Sequence, residues 1–466
     1  MNRIVGVETE YGCLVNHEER AGGPDAFPIR VKNHIFRTEE LGVIDLHYRD
    51  FEEPPGNGGF LLNGGRVYLD MGHLEYSSPE CRSVHDIVLY DRAGDLMLQN
   101  ALQQMNLNQR ISFLKNNIDH HTGATFGCHE NYLMRRDASF TPAIVAALLS
   151  FLVTRQIFTG TGRVGFAHPF SMEDAHPKRS VHFQISQRAD HIVNDIYQWV
   201  QFNRAIINAR DEPLADGREY RRLHLLLGDS NMSEFAVMLK FGTTALILDL
   251  LEMGIHPKKV ALADAVSGMR EISHDPTRRW SVKLESGAHQ SALDIQRAFC
   301  ELAVTSLRGR DEETDRVLQN WFSTLEALAK PPYEPLVGKI DWITKESLLT
   351  QFMESENLNW NDPWLKSLDL EYHNIDPARG LYFAVERSAN GWRWTRDADV
   401  ARAVRQPPQD TRAAGRGLAI SKLQKRISSY IINWDSITLE SGKPISMMDP
   451  LQTYTAEIQE AFTSSS

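Results

Sequence analysis

A chain of 466 residues, 42% hydrophobic and 24% charged, is long enough to bury a large core and has the composition of an ordinary soluble protein. Its net charge of −11 argues against binding nucleic acid or an anionic membrane through an overall positive field, while leaving room for a local basic groove. The longest apolar run, Ala143 to Val153 (AIVAALLSFLV), is shorter than the ~20 residues of a membrane span. The N-terminal MNRIVGVETEYG has no apolar signal core. Cys13, Cys81, Cys128 and Cys300 are scattered, without a CxxC pair. The expectation is a cytoplasmic protein with neither a membrane nor a nucleic-acid partner.

Arg3 to Val15 (RIVGVETEYGCLV) reads as a strand whose two-residue period puts Glu8 and Glu10 on one face and Val5, Val7 and Thr9 on the other. Two like charges on one face repel unless a cation or basic ligand lies between them; the alternative is a solvent-facing pair on an antiparallel sheet. Glu18 to Gly59 shows little periodicity and ends in the turn-rich EEPPGNGG, a pattern of functional or mobile segments. Asn63 to Glu80 (NGGRVYLDMGHLEYSSPE) then alternates cleanly over Arg66 to Asp70, with Arg66, Tyr68 and Asp70 on one face and Val67 and Leu69 on the other. A guanidinium, a phenol and a carboxylate side by side suit a cleft better than a core. Met71-Gly72 permits a turn that returns Glu75 towards Asp70. The two carboxylates then form either a base and metal-ligand pair or a solvated strand edge.

Helical spacing follows over His85–Met105, a short strand over Ile111–Asn116, and a turn-rich loop over Asp119–Gly127 with His120 and His121. A buried helix is expected at Thr141–Ile157, running into FTGTGRVG. Strands are expected at Phe183–Arg188, Ala205–Arg210 and Arg221–Gly228. An apolar helix to about Leu251 follows, then helices at Ser291–Leu307 and Arg316–Leu328 and Trp-rich helical pieces over 340–370. RQPPQDTRAAGRG (405–417) has the composition of a linker. The expected organisation is a catalytic domain over residues 1–395 and a small C-terminal domain over 396–466. The expected class is α+β, with helices on one side of an antiparallel sheet and a cleft on the other.

The polar strand faces collect Glu8, Glu10, Arg66, Tyr68, Asp70, Glu75, His129, Asn131, Gln184, Ser186, Arg188, Arg210, Arg222 and His224. Carboxylates, a phenol and a few histidines suit Mg²⁺ with phosphate, and the arginines suit phosphate or carboxylate. Together they read as an ATP–Mg²⁺ site with an acidic second substrate; solvated surface ion pairs are the bland reading of the arginines. FTGTGRVG lacks the spacing of a phosphate-binding P-loop. Cys128 and His129 are adjacent on a strand and so face opposite ways, which disfavours a thiol–imidazole dyad. His120, His121, Cys128 and His129 have no recognised zinc-ligand spacing.

GVETEYG, NGGRVYLD, EYSSPEC, KNN, GCHENYL, FLVTRQ, SQRADHI, RDEP, YRRLH, GDSNMSE, LKFGTTAL and NWDSI, in this order, resemble the family of the Pup ligase and the depupylase (Pup deamidase), relatives of the glutamine synthetase-like carboxylate–amine ligases. The resemblance runs nearly end to end. It implies a glutamine synthetase-like sheet cradle, ATP and Mg²⁺, a Pup-like modifier and its lysine conjugates as partners, and a link to the bacterial proteasome. Asp70 matches the family's base or nucleophile. Glu8, Tyr68 and Glu75 match Mg²⁺ ligands, with Glu10, His129 and His224 as further members. Arg66, Ser78 and Trp434 match ATP contacts, Trp434 stacking on adenine from the C-terminal domain. Arg188, Arg210 and Arg222 match phosphate or modifier-glutamate contacts.

FTGTGRVG, FGTTALILDL, SHDPT, ENLNW, LDLEYHNIDPARGLY, NWDSI and the compact Asp70–Glu75 spacing resemble the depupylase; FLVTRQ, VYLD and GDSNMSE resemble the ligase. The depupylase insertion before the NGARLYVD motif is much shortened here, though Arg37–Asn63 exceeds the usual ligase length. Leu74 stands for the usual proline, and Leu214 for the histidine after RDEP. On this balance the expected activity is ATP/Mg²⁺-dependent depupylation and modifier deamidation. The alternatives are Pup–protein ligation and a non-catalytic Pup-binding adaptor.

Overall fold

The computed structural model describes residues 3–15, 26–49, 51, 53–120, 122–165, 182–199, 204–425, 429–440 and 442–464. In chain order the first half comprises β1 (Val5–Val15), α1 (Ala26–Arg37), β2 (Gly42–Ile44), β3 (Gly58–Leu61), β4 (Arg66–Asp70), β5 (His73–Ser77), α2 (Val84–Gln104), β6 (Ile111–Leu114) and β7 (Cys128–Arg135). Next come α3 (Pro142–Thr154), α4 (Gln156–Thr159), β8 (Arg163–Val164), β9 (Phe183–Gln184), β10 (Asn194–Tyr197), β11 (Ala205–Asn208), β12 (Tyr220–Leu225), α5 (Glu234–Glu252) and α6 (Ala265–His274). They are followed by β13 (Ser281–Lys283), β14 (His289–Ser291), α7 (Ala292–Leu307), α8 (Glu312–Leu328), α9 (Asp341–Glu356), α10 (Pro363–Tyr372), α11 (Leu381–Glu386) and α12 (Asp397–Ala403). The chain ends with α13 (Ala413–Leu423), β15 (Tyr430–Ile432), β16 (Ser436–Leu439), β17 (Ile445–Ser446) and α14 (Thr455–Ser464).

Many helices start where a short polar side chain closes the first turn. Ser83, Thr141, Ser233, Asp264, Ser291 and Asp311 each accept the amide three residues on, satisfying a donor the helix itself leaves open. Helix α5 is buried on almost every side, so its apolar residues show no single stripe. The segment Pro142–Thr159 is long and apolar enough to cross a membrane by composition, but 78% of it is buried inside the protein.

A ten-stranded sheet, in the order β10-β11-β12-β7-β1-β5-β4-β3-β2 with β6 on the far end of β1, organises the fold. Its pairings are antiparallel except β10–β11, which is parallel. Val5, Val7, Tyr11, Val67, Leu74 and Tyr76 point to one face and join α1, α2, α5 and their neighbours in the main core. The opposite face carries the acidic residues.

Three segments depart from their sequence reading. The weakly patterned 18–59 stretch contains α1, whose Phe27, Val31, Ile35 and Phe36 are buried at helical spacing. FQISQR pairs only through Phe183–Gln184; beyond it the amides of Gln187 and Arg188 turn to the buried Asp229 carboxylate. The linker-like 405–417 stretch is buried at Thr411, Arg412, Ala413 and Arg416 and starts α13. Helix α12 supplies Val400 and Ala403 to the main core, so the division between cores lies beyond residue 396. A second core gathers Ala419, Ile420, Leu423, Ile432, Ile437, Met447, Ile458 and Phe462 with Val43 and Phe60 of the large sheet.

The two cores are joined by a buried carboxylate. Glu80 accepts Arg412 Nε at 2.7 Å on one oxygen and Arg416 on the other. Arg412 also donates to the carbonyls of Leu214 and Met447, and Arg416 to those of Gly64 and Trp434. Burial pushes the Glu80 carboxyl up, but the two guanidiniums outweigh it and hold it below the ordinary carboxylate range. Its contribution is therefore complete at neutral pH and lost as pH falls through that depressed value. Glu80→Gln leaves two buried guanidiniums without a counter-charge; denaturant unfolding at pH 7 is expected to show a loss of about 3–5 kcal/mol. Unchanged stability would mean that the clamp does not hold the cores together.

Candidate active site

The strand register arranges the open face as a grid. His129 of β7 lies opposite Glu8 of β1, Glu8 opposite Ser77 of β5, and Ser77 opposite Arg66 of β4. One step along, Glu10 lies opposite Glu75, and Glu75 opposite Tyr68. Met71 and Gly72, at φ 44° and 91°, form the left-handed two-residue turn of a tight hairpin and set Asp70 opposite His73.

Two groups of side chains that could hold a metal ion result. Ligand atoms of Glu8, His129 and His224 lie within 4.8 Å of one another, as do those of Glu10, Asp70 and Glu75. Glu8 is 3.3 Å from His129 Nδ1 and 3.5 Å from His224 Nε2, and accepts Asn131 Nδ2 at 3.0 Å. Glu10 is 4.0 Å from His129 Nε2 and 3.9 Å from His73 Nδ1. The Tyr68 hydroxyl donates to Glu75. Gly127 is demanded by close approach: a Cβ there would stand 2.2 Å from His129 Nε2 and 2.7 Å from Glu10 Oε1.

The charges are not balanced within the protein. Burial and then the charges of Glu8, Glu10 and Asp70 raise the Glu75 carboxyl well above its ordinary value, against the hydrogen bond from Tyr68. Burial also pushes Glu8 up, but the hydrogen bonds of His129 and His224 prevail and hold it well below the ordinary range. Burial pulls His224 down to about 4, against its hydrogen bond with Glu8, so it is neutral and fit to ligate at pH 7. Crowded carboxylates with a phenol oxygen match the donors a hard divalent cation takes. The fit to Mg²⁺ is therefore good at Glu10, Asp70 and Glu75, while the imidazoles make Glu8's cluster the more borderline one.

Beside the grid, Gly6, Glu8, Ser78, Asn131, Arg222 and Trp434 line one cavity, with Leu214, at φ 49°, and Arg412 on its wall. Ser78 accepts the Val7 amide at 3.1 Å. Trp434 meets Phe60 edge-on at 5.1 Å and carries the Arg416 guanidinium over its ring at 4.7 Å. Arg222 joins this cavity, its charge acting on both Glu8 and His224. Arg66 stands in the same row as Glu8, its guanidinium 4.6 Å from the Tyr68 ring centre.

Two arginines grouped with these by sequence are placed elsewhere. Arg188 is fully buried and donates to the carbonyls of Phe126 and Leu226 and to Thr125 Oγ1, pinning the loop that carries Gly127. It shapes the site from behind rather than facing a ligand. Arg210 is exposed and paired with Glu212 at 3.0 Å. His120 pairs with Asp369 at 3.2 Å and Cys128 faces the core, so neither joins a zinc cluster; His121 lies outside the described residues. Sequence patterning does not single out His73, although the hairpin register set by Met71-Gly72 places it beside Asp70. Nor does it find Asp45 and Glu53, which hold Arg66 from an unpatterned stretch that carries no signal.

In metal-free buffer the raised Glu75 carboxyl retains a proton that the unfolded chain releases, so folding stability falls as pH rises from the ordinary carboxylate value through the raised one. Glu75→Gln should abolish that fall and stabilise the chelated protein at neutral pH by about 1–3 kcal/mol, while losing stabilisation by added Mg²⁺. Thermal melts at pH 5.5 and 7.5, in chelator and in Mg²⁺, check both expectations. A destabilised chelated variant would contradict the repulsion argument.

The family model described as "Pup-ligase protein" matches residues 3–438. The Pup–protein ligase of Gordonia bronchialis is 36% identical over 99% of both chains, and that of Mycobacteroides abscessus 35% identical over the same shares. A depupylase of Acidothermus cellulolyticus is 35% identical over 98% of this chain and 96% of its own. Among solved structures, the ligase PafA in complex with the ubiquitin-like protein Pup superposes with a TM-score of 0.85 at 31% identity, over 99% of this chain and 91% of that one. PafA in complex with ADP gives 0.78 at 31% identity, over 94% and 93%. By its end-to-end match in sequence and fold, this chain belongs to the Pup ligase family.

Proposed function

We propose that the chain is a Pup–protein ligase, joining the C-terminal glutamate of a Pup-like modifier to a substrate lysine with hydrolysis of ATP to ADP and phosphate. The observation that carries this choice is the full-length match to Pup–protein ligases, 99% of each chain. The β2–β3 connection leans the same way, being much shorter than the depupylase insertion although longer than is usual in a ligase. Most of the depupylase-like segments build scaffold. FTGTGRVG and the FGTTALILDL part of α5 are largely buried. In LDLEYHNIDPARGLY, Asp369 is paired with the buried Lys345. Such segments record packing, and packing does not choose between making and breaking an isopeptide bond.

In this reading the modifier's γ-carboxylate attacks the γ-phosphorus of ATP and ADP leaves. The lysine amine then attacks the resulting acyl carbon and phosphate leaves. Asp70, at the exposed end of the grid, takes the proton that the lysine nitrogen must lose. Trp434 and Ser78 hold the nucleoside end, and Arg66 and Arg222 the phosphates and the modifier's carboxylate. Glu10 and Glu75 with Tyr68, and Glu8 with His129 and His224, are the residues that would hold divalent cations, which would supply charge neutralisation for the phosphates. Conjugates of this kind are the form in which a protein is handed to a bacterial proteasome, which is the pathway link we infer.

The test is incubation with ATP, Mg²⁺, a modifier ending in Glu and a lysine-bearing protein, alongside a preformed conjugate, with both followed by mass spectrometry. New conjugate with one ADP per bond is expected. Release of free modifier without matching ADP, and no new conjugate, would return the depupylase reading. Asp70→Asn should slow conjugation at least ~100-fold while leaving ADP binding intact; full activity in that variant would remove Asp70 from the mechanism. An adaptor would bind modifier with no turnover in either assay.

A further inference from the structure

Arg66, assigned above to the nucleotide phosphates, is shared between two carboxylates of the β2–β3 connection. Its Nη2 donates to Glu53 Oε2 at 2.6 Å and to Asp45 Oδ2 at 3.2 Å. The two partners differ in character. The Asp45 side chain is 4% exposed and that of Glu53 is 27% exposed. Asp45 also stands at the base of the connection, where its amide donates to Gly58 O and its carbonyl accepts Gly56 N. Arg49 of the same connection reaches Asp45 at 3.2 Å and Glu53 at 3.7 Å, and donates to Asn433 Oδ1 and Ile432 O beside Trp434. The outward side chains Leu46, Tyr48 and Phe51 are 70%, 65% and 90% exposed, so they lend the connection little core packing. Among the described residues beyond the base, polar contacts such as these hold it against the sheet and the C-terminal hairpin.

We propose that Glu53 competes with the nucleotide's phosphate for Arg66, so that the β2–β3 connection is a strap released by nucleotide, with Asp45 as the permanent anchor that keeps Arg66 in position. A phosphate offers more charge and a better fit to the guanidinium fork than one carboxylate, and of the two ion pairs the one whose carboxylate is the more exposed is the one that exchanges. Glu53 is in this sense a positioning residue that sets nucleotide affinity and does not touch the reacting atoms. The proposal rests on the nucleotide reading of the site.

The test uses full-length wild-type and Glu53→Gln proteins with Mg²⁺, titrated with ADP and separately with adenosine, which lacks phosphate. Removing the competitor should tighten ADP about three- to fivefold and leave adenosine unchanged. Hydrogen exchange in peptides covering the β2–β3 connection should speed up when ADP binds wild type, and be fast with or without ADP in Glu53→Gln. Weaker or unchanged ADP binding by the variant, or protection of the connection by ADP in wild type, would overturn the proposal. If neither protein binds ADP, the nucleotide reading falls and the competition with it; if wild type binds ADP and the variant is merely weaker, only the competition falls.

Discussion

The structure is organised by a repulsion. Four carboxylates, Glu8, Glu10, Asp70 and Glu75, are brought to one face of a sheet by register alone, where two candidate metal-binding groups form side by side. Folding tolerates this because the other face of the same strands is mostly apolar, with Val5, Val7, Val67, Leu74 and Tyr76 buried against helices. Buried carboxylates on the other face, such as Glu10 and Glu75, call for an external counter-charge, which in the proposed function is supplied by divalent cations.

The rest of the chain keeps that face in register and closes one end of it. Arg188 holds the Phe126 carbonyl just before Gly127, the residue whose missing side chain lets His129 and Glu10 approach. Glu80, gripped by Arg412 and Arg416, ties the EYSSPE segment to the C-terminal unit, and Arg416 reaches on to Trp434. The C-terminal region is thus wired into the site through charge-assisted hydrogen bonds, while its own apolar core includes Phe60 and Val43 from the catalytic sheet. It reads better as the site's second wall than as an appended unit.

Much of the acidic face is legible in the order of residues alone, because period two is unforgiving: Glu8 with Glu10, and Tyr68 with Asp70, share a side wherever the strand lies. The Met71-Gly72 turn adds Glu75. What is not legible depends on distant partners. Arg188 on FQISQR has the same local pattern as a cleft arginine, but Asp229 takes its amide and two carbonyls take its guanidinium, which only the tertiary fold decides. Helix α1 is hidden because its buried face includes Pro28 and Lys32 while the apolar Ile29 is exposed, and the linker-like 405–417 stretch hides two arginines whose partner, Glu80, lies more than three hundred residues away. The sequence leans towards depupylase for a related reason: segments that chiefly fill the core weigh as much there as those near the chemistry.

The carboxylate face, on this reading, binds nucleotide phosphates through divalent cations. Calorimetric titration of the protein with ADP, in Mg²⁺ and in chelator, tests that claim most directly. Mg²⁺ should tighten ADP at least about tenfold, because the phosphates would otherwise approach four carboxylates unshielded. Equal ADP affinity with and without the cation would contradict it, and would leave the crowded face without the role that its geometry implies.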